Sequence, residues 1–118
     1  MKFSGFSKFQ NWWDEPSWKL VEFGELEAEC LFNISGVYVF VDTRNKKPVY
    51  IGQSENLNRR IKSHNRLEKI LNHQPSISIE IRVIETGKRH DVAQLIEAYC
   101  INRFLLRFGR LPKYNRKI

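Results

Sequence analysis

Cysteine is scarce in this 118-residue chain. The two cysteines, Cys30 and Cys100, are far apart and belong to no Cys/His pattern with metal-ligand spacing. The sequence therefore gives no support to a zinc knuckle or to a disulfide framework. We predict that both are reduced residues of the core.

Long apolar runs are absent too. No uninterrupted apolar stretch approaches the roughly 18 residues that a membrane-spanning helix needs. The N-terminus lacks the basic-then-apolar layout of a signal peptide. We therefore expect no membrane partner and a cytoplasmic location. The length of the chain suits one domain with a single core.

Acidic residues are outnumbered, 13 against 20 lysines and arginines, which gives a net charge of +7. Residues 1–35 hold three lysines and six acids, whereas residues 36–118 hold seventeen basic and seven acidic residues. The basic part is expected to attract a polyanion, and nucleic acid is the default one. The alternative is a solvated basic surface without a partner.

Aromatic residues concentrate in the first third of the chain. Eight of the fifteen lie there: Phe3, Phe6, Phe9, Trp12, Trp13, Trp18, Phe23 and Phe32. We predict that the tryptophans and Phe23 cover an open edge or face of a sheet. Base stacking or wedging in nucleic acid, or a dimer surface, is the alternative.

After residue 35, the residue pattern predicts strands and helices. β-branched and aromatic residues at 36–41 and 48–52 predict a hairpin, and strict alternation at 77–83 predicts another strand. One helix is predicted over about 55–71, with Ser54 as its N-cap. A second helix is predicted to begin at a capping-box pattern that starts with Asp91. This helix is predicted to end at Gly109.

The first predicted helix places cationic residues on its inward face. At 100° per residue, the inward stripe consists of Leu57, Ile61 and Leu71. Arg60 and His64 fall on this face, whereas Arg59 points nearly opposite. A lone inward histidine is usually a satisfied core residue, but an arginine one turn before it favours a functional site.

The second predicted helix carries a carboxylate among apolar residues. One apolar side holds Val92, Leu95, Ile96, Tyr99 and Leu106, and the other holds Cys100, Ile101, Phe104 and Phe108. Glu97 falls within the second group, where an ionised carboxylate costs several kcal/mol unless it is compensated. The compensation is either a salt bridge to a nearby arginine or a divalent metal, since one glutamate with waters and a phosphate oxygen suffices for Mg²⁺.

The hairpin brings two tyrosines together. If Val41 pairs with Lys47, Tyr38 lies opposite Tyr50 and both phenols project from one face. A one-residue slip would place them on opposite faces. Two core tyrosines are the alternative to a functional pair.

These residues occur in the order of a known family. The motifs are Gly36-Val37-Tyr38, Tyr50-Ile51-Gly52, Asn56-Leu57-Asn58-Arg59-Arg60 with His64, then Glu97 and Asn115. In them the chain resembles the GIY-YIG nuclease family over about residues 35–115. The resemblance implies an α+β fold with a three-stranded antiparallel sheet flanked by helices. The aromatic-rich N-terminal arm, residues 1–34, would extend this core within a single domain of residues 1–118.

The resemblance also implies an activity: an endonuclease that hydrolyses phosphodiester bonds in DNA with one divalent cation, Mg²⁺ or Mn²⁺. RNA is an alternative substrate. The implied catalytic residues are Tyr38, Tyr50, Arg60, His64, Glu97 and Asn115. Glu97 would hold the metal, Arg60 would bind the scissile phosphate, and Asn115 would brace the site. One tyrosine, with Tyr50 ranked above Tyr38, would help to activate water.

The sequence departs from the family pattern at three positions. Val37 replaces an isoleucine, which changes little. Gln53 stands where excision-repair incision relatives carry a lysine, so a lysine-assisted base is not expected. His73 resembles a second histidine of some homing-endonuclease members, although a surface residue near a helix end is the expected interpretation.

Phosphate contacts would come from a set of basic residues: Arg59, Lys62, Arg66, Lys69, Arg103, Arg107, Arg110 and Lys113, followed by Arg116 and Lys117. Such binding weakens steeply with salt and carries no sequence information by itself. Two other interpretations stay open. One is a catalytically inactive nucleic-acid-binding module, and the other is a nuclease subunit or homodimer targeted through the N-terminal arm.

Overall fold

The computed structural model describes residues 12–21, 34–62 and 65–115, without the side chains of Lys62 and Asn65. In chain order these residues form a 3₁₀ turn Trp12–Asp14, β1 Lys19–Val21, β2 Ser35–Asp42, β3 Lys47–Ser54, α1 Leu57–Lys62, α2 Asn65–His73, β4 Ile79–Gly87 and α3 His90–Phe108. The predicted α+β class is confirmed. None of the helices in this part of the chain has both the length and the apolar character needed to cross a membrane.

The sheet has four antiparallel strands in the order β1-β4-β2-β3, so the prediction of three strands is wrong. The additional strand, β1, belongs to the N-terminal arm and pairs with β4 from Lys19↔Val83 to Val21↔Ile81. Three residues are too few to show strand periodicity. The strand exists because it satisfies the backbone groups of β4 that would otherwise form an open edge.

The β2–β3 hairpin has a different register from the predicted one. Tyr38 pairs with Gly52, and Tyr50 pairs with Phe40. The pairing is shifted by two residues from the prediction. The first residue of the shift arises at the turn, where Lys47 pairs with Asp42 instead of Val41, and the second arises at a bulge between Phe40 and Val41. Because the total shift is two residues, each side chain keeps its face of the sheet, and the two tyrosines lie on the same face as predicted.

The central strand β2 is buried along its whole length because both faces of the sheet are covered. On one face Tyr38 and Phe40 pack with residues of α1 and α2, among them Leu57, Ile61 and Ile70. The other face packs on α3 and on the tryptophans, through Val37, Val39, Val41 and Ile51. The sheet therefore separates two apolar clusters.

The first predicted helix is two helices, α1 and α2. Leu57 and Ile61 of its inward stripe are buried, but Leu71 is exposed. Leu67 and Ile70 take the inward positions of α2 instead. The buried positions of α2 therefore differ from those that one wheel over residues 55–71 predicts, and residues 63 and 64, between α1 and α2, lie outside the described residues.

The helix caps also differ from the prediction. Asn56 caps α1, since its Oδ1 accepts a hydrogen bond from the Arg59 amide at 3.0 Å, and Ser54 instead binds Asn56. At α3, Asp91 forms an ion pair with Arg89 rather than a capping box. The predicted end of α3 is confirmed, because Gly109 adopts the left-handed conformation with φ of 71°.

Helix α3 buries only one of its two apolar sides. Ala93, Cys100 and Phe104 are buried, and burial raises the pKa of the Cys100 thiol to about 12, as expected of an inert core cysteine. Within the described part of the chain, Leu95, Tyr99 and Leu106 are 60–78% exposed. Cys30, in contrast, lies outside the described residues.

The three tryptophans cover the α3 side of the sheet, which confirms the structural prediction for them. Trp12, Trp13 and Trp18 are 6%, 1% and 8% exposed, so base stacking by these rings is excluded. Trp13 Nε1 donates a hydrogen bond to the Lys46 carbonyl oxygen at 3.0 Å and so holds the β2–β3 turn. Phe23 and the earlier phenylalanines lie outside the described residues.

The Trp13 hydrogen bond can be tested with Trp13→Phe, which keeps an aromatic ring but removes the donor. We expect a loss of about 1–3 kcal/mol in the free energy of unfolding, from the smaller ring and the unsatisfied carbonyl. Urea unfolding measures it. Trp18→Phe is the control, because this buried indole has no hydrogen bond within the described residues. Equal losses would show that the bond to Lys46 contributes nothing measurable.

Candidate active site

The two motif tyrosines pack together on the α1 face of the sheet. Tyr38 is 1% exposed, Tyr50 is half-buried, and their ring centroids are 6.0 Å apart. Burial raises the pKa of Tyr38 well above its ordinary value, and the negative charge of an ionised Tyr50 and a hydrogen bond to it act in the same direction, whereas Arg60 opposes them. The Tyr38 phenol therefore stays protonated at neutral pH and serves as a donor.

The motif glycines are required by close packing. A Cβ at Gly52 would lie 2.6 Å from the Cζ and hydroxyl atoms of Tyr38 and 2.9 Å from Cε2 of Tyr50. A Cβ at Gly36 would collide with the side chain of Leu57. Glycine at these positions lets the buried phenol lie directly across strand β3 and lets α1 approach β2.

A cleft of about 430 Å³ opens beside the end of β3. It is lined by Gln53, Ser54, Glu55, Asn56, Arg59, Arg60 and His90. Arg60 is exposed, so its predicted burial is wrong, and Arg59 lines the same cleft although the wheel placed the two on opposite sides. The long guanidinium side chains reach the cleft from different positions on the short helix α1.

Glu97 is half-buried on the sheet side of α3, as predicted. Burial raises its pKa, and the nearby His90 opposes the shift. Within the described residues no arginine or lysine forms an ion pair with Glu97, so the predicted salt bridge is not found there. Its charge also acts on Tyr38. Arg60 and Glu97, from two separate helices, thus both act electrostatically on Tyr38 of β2.

His90 and Gln53 are cleft residues whose roles sequence reasoning missed. His90 Nε2 lies 3.9 Å from Glu55 Oε1. His90 Nδ1 and Gln53 Oε1 are buried without a hydrogen-bond partner among the described residues. The spacing between His90 and Glu97, two helical turns on one face, was the available signal. Buried polar atoms of this kind mark places where water or a ligand completes the hydrogen bonding.

Asn115 is bonded to the edge strand of the sheet. Its Nδ2 donates to the Ile51 carbonyl oxygen, and its Oδ1 accepts from the Ile51 amide, both at 2.8 Å. One residue earlier, the Tyr114 amide donates to the Val49 carbonyl oxygen at 2.9 Å. Ile51 lies between Tyr50 and Gly52, so these bonds fix the strand that carries the second motif.

The remaining predicted site residues are dispersed. The Arg66 guanidinium lies 5.6 Å from the Tyr50 ring centroid, and His73 is exposed, as predicted, with Nδ1 2.8 Å from the Tyr114 hydroxyl. Exposed side chains are those of Lys69, Arg103, Arg107, Arg110 and Lys113. His64, Arg116, Lys117 and the side chain of Lys62 lie outside the described residues.

The donors available for a metal are few. The described part of the chain contains no group of three or more His, Cys, Asp or Glu residues that could hold an ion. Glu97, half-buried and without a cationic ion-pair partner there, is the carboxylate that fits a divalent cation whose other ligands are water and substrate oxygen.

Comparisons with known proteins identify the family to which the chain is similar. A model of the GIY-YIG catalytic domain matches residues 34–110. The chain is 33% identical over 96 residues to the UvrABC system protein C of Thermosipho africanus (strain TCF52B). That alignment covers 76% of this chain and 15% of the relative, so the chain spans only a small part of the relative's length. No solved structure matches the chain.

The requirement for glycine at position 52 can be tested with Gly52→Ala. We expect a loss of about 2–3 kcal/mol in the free energy of unfolding, together with an altered near-ultraviolet circular dichroism signal, because the added methyl group displaces Tyr38. Gly109→Ala is the control: it places alanine at φ of 71° with no atom nearby, costs about 1 kcal/mol and leaves the tyrosine signal unchanged. An unaltered signal in Gly52→Ala would contradict the packing argument.

The buried charge of Glu97 predicts that Glu97→Gln is more stable than the parent at neutral and alkaline pH. A pKa raised on folding means that ionised Glu97 disfavours the folded state. The difference in melting temperature between Glu97→Gln and the parent should therefore be absent at acid pH. It should appear as the pH rises through the raised pKa of Glu97. Thermal unfolding from pH 4 to 8 measures it, with Glu68→Gln, at an exposed position of α2, as the control. A Glu97→Gln protein less stable than the parent at pH 8 would refute the argument.

Proposed function

Because the chain belongs to the GIY-YIG nuclease family, we propose that it is a metal-dependent endonuclease that hydrolyses phosphodiester bonds in DNA. The supporting observation is that the charges of Arg60 and Glu97 both act on the buried Tyr38 phenol, and that Arg60 also lines the cleft beside the end of β3. These are the residue types that the reaction needs: a phenol, a phosphate-binding cation and a carboxylate for a metal. We place the protein in the cytoplasm.

Glu97 would hold a single divalent cation, Mg²⁺ or Mn²⁺. A carboxylate that is half-buried and has no cationic ion-pair partner among the described residues has lost part of its hydration, which a hard cation compensates. Such a cation, when bound, offsets negative charge on the phosphate and on the leaving oxygen. Glu97 thus retains a charge that is unfavourable for folding because it serves the reaction.

Arg60 would bind the scissile phosphate. Its guanidinium is exposed to the cleft and carries a planar set of donors that matches two phosphate oxygens. Arg59, beside it, would contact a neighbouring phosphate. Asn115 would act at a distance from the substrate, by fixing the Tyr50–Gly52 strand through Ile51.

Tyr50 would help to activate the attacking water. Tyr38 is held protonated by its surroundings and donates its hydrogen bond, so it orients Tyr50 rather than accepting a proton. An ordinary phenol is a poor base at neutral pH. The Arg66 guanidinium lies 5.6 Å from the Tyr50 ring centroid and would contact the phosphate next to the attacking water. His64 is proposed as a proton relay from the family match alone.

Affinity for DNA would come from the basic residues Arg59, Lys62, Arg66, Lys69, Arg103, Arg107, Arg110 and Lys113. A homodimer or a targeting partner that uses the N-terminal arm would need residues other than Trp12, Trp13 and Trp18, because these are buried.

The test is incubation with supercoiled plasmid, single-stranded DNA and RNA in Mg²⁺, Mn²⁺ or EDTA. We expect plasmid cutting that EDTA abolishes and that Arg60→Ala and Glu97→Ala each reduce by roughly 10²–10³-fold. Glu68→Ala and Lys88→Ala, which remove exposed charges outside the cleft, should cut at the parental rate.

Two outcomes would contradict the proposal. Undiminished cutting by both Arg60→Ala and Glu97→Ala would show that the chemistry lies elsewhere. Tight binding of DNA without cutting in any metal would identify an inactive nucleic-acid-binding module instead. Cutting of RNA in preference to DNA would change the substrate but keep the site.

A further inference from the structure

A second cleft, of about 390 Å³, lies between the β2–β3 turn and the C-terminal end of α3. We name it the hairpin cleft. Four cationic side chains surround it: Arg44, Lys47, Arg110 and Lys113. Phe104 and Phe108 contribute its apolar floor. Several cations around one cleft suit a ligand that carries phosphate.

The charge of the hairpin cleft is strongly positive. Asp42, the acidic residue in its lining, is bound by Arg44 through bonds of 3.1 Å and 2.9 Å, and Arg44 lowers the pKa of this carboxyl. Asp42 therefore balances Arg44. In the described part of the chain no carboxylate forms an ion pair with Lys47, Arg110 or Lys113. Three positive charges are left for an anion.

Two of these cations are held in place before any ligand arrives. The Lys47 ammonium lies 4.8 Å from the Phe108 ring centroid, in a cation–π contact. The Lys113 ammonium lies 5.4 Å from the Tyr114 ring centroid, and the Tyr114 backbone is bonded to β3. A preorganised cation loses less conformational entropy on binding an anion.

The hairpin cleft and the candidate active-site cleft lie at opposite ends of the same two elements. Strand β3 runs from Lys47 at the hairpin cleft to Ser54 at the active-site cleft, about 23 Å at 3.3 Å per residue. Helix α3 runs in the opposite direction, from His90 at the active-site cleft to Phe104 at the hairpin cleft, which is about 21 Å at 1.5 Å per residue. The two lengths agree. Successive phosphates of one duplex strand advance 3.4 Å along the axis, so about seven nucleotides cover this distance.

We propose that the hairpin cleft is a second phosphate-binding site, which holds the backbone of the substrate nucleic acid about seven nucleotides from the scissile phosphate. The inference rests on the proposed function for the identity of the substrate. It adds Arg44 and Lys47 to the residues that contact nucleic acid, and it gives Arg110 and Lys113 a defined place of contact.

The first test is Lys47→Gln/Lys113→Gln binding to a fluorescein-labelled 20-bp duplex, measured by anisotropy in EDTA from 50 to 200 mM salt. We expect affinity to fall at least about tenfold at 100 mM salt and the slope of log K against log salt to fall by about 1–2. Lys19→Gln/Lys88→Gln, which removes the same charge from exposed positions outside both clefts, is the matched control. Equal losses in the two double variants would overturn the proposal.

A second measurement needs no variant. Lysines of the parent protein are acetylated with and without the duplex, and mass spectrometry reports each site. We expect the duplex to protect Lys47 and Lys113 but not Lys19. Unprotected Lys47 and Lys113 would overturn the proposal, as would equal protection by a free nucleoside monophosphate, which cannot reach both clefts.

The failure of this inference is distinguishable from that of the proposed function. If plasmid is cut but the two double variants bind duplex equally, the hairpin cleft is not a binding site and the nuclease assignment stands. If the duplex protects both lysines but no substrate is cut, the cleft binds nucleic acid and the catalytic proposal fails.

Discussion

The packing of Tyr38 across Gly52 is the contact on which the rest of the site depends. It places a buried phenol at the centre of the sheet, within reach of Tyr50 and of the charges of Arg60 and Glu97. The two strands are held in the register that permits this contact by the bulge beside Phe40 and by the turn that Trp13 anchors. Distant parts of the chain, including the N-terminal arm, therefore determine the geometry of a few atoms.

The negative charge of Glu97, which the proposed function requires, lowers the stability of the folded protein. Its half-buried carboxylate is less favourable in the folded protein than in the unfolded chain, and the described residues supply no ion pair with a lysine or arginine. Elsewhere the structure pairs its carboxylates readily, as at Asp42 with Arg44 and Asp91 with Arg89. Glu97 differs from these two acids in having no such pair within the described residues and in being half-buried, and for this reason we propose it as the ligand of a cation.

The sequence predicted what depends on local pattern. It correctly placed Tyr38 and Tyr50 on one face, Glu97 on the inward side of α3, and the end of that helix at Gly109. It missed what depends on tertiary context. The three described residues of strand β1 are too few to show a period. The wheel is wrong for Leu71 because Leu67 and Ile70 take the inward positions of α2, and for Arg60 because its long side chain reaches the open cleft. His90 belongs to none of the sequence motifs, and it is the fold that places this residue in the lining of the cleft.

The outer strand β3 has part of its free side occupied. The side-chain amide of Asn115 bonds the outward backbone groups of Ile51 on β3. An uncovered β3 would present a template onto which another molecule could add a strand. The Asn115 amide thus fixes the strand between Tyr50 and Gly52 and also occupies backbone groups that an added strand would need for pairing.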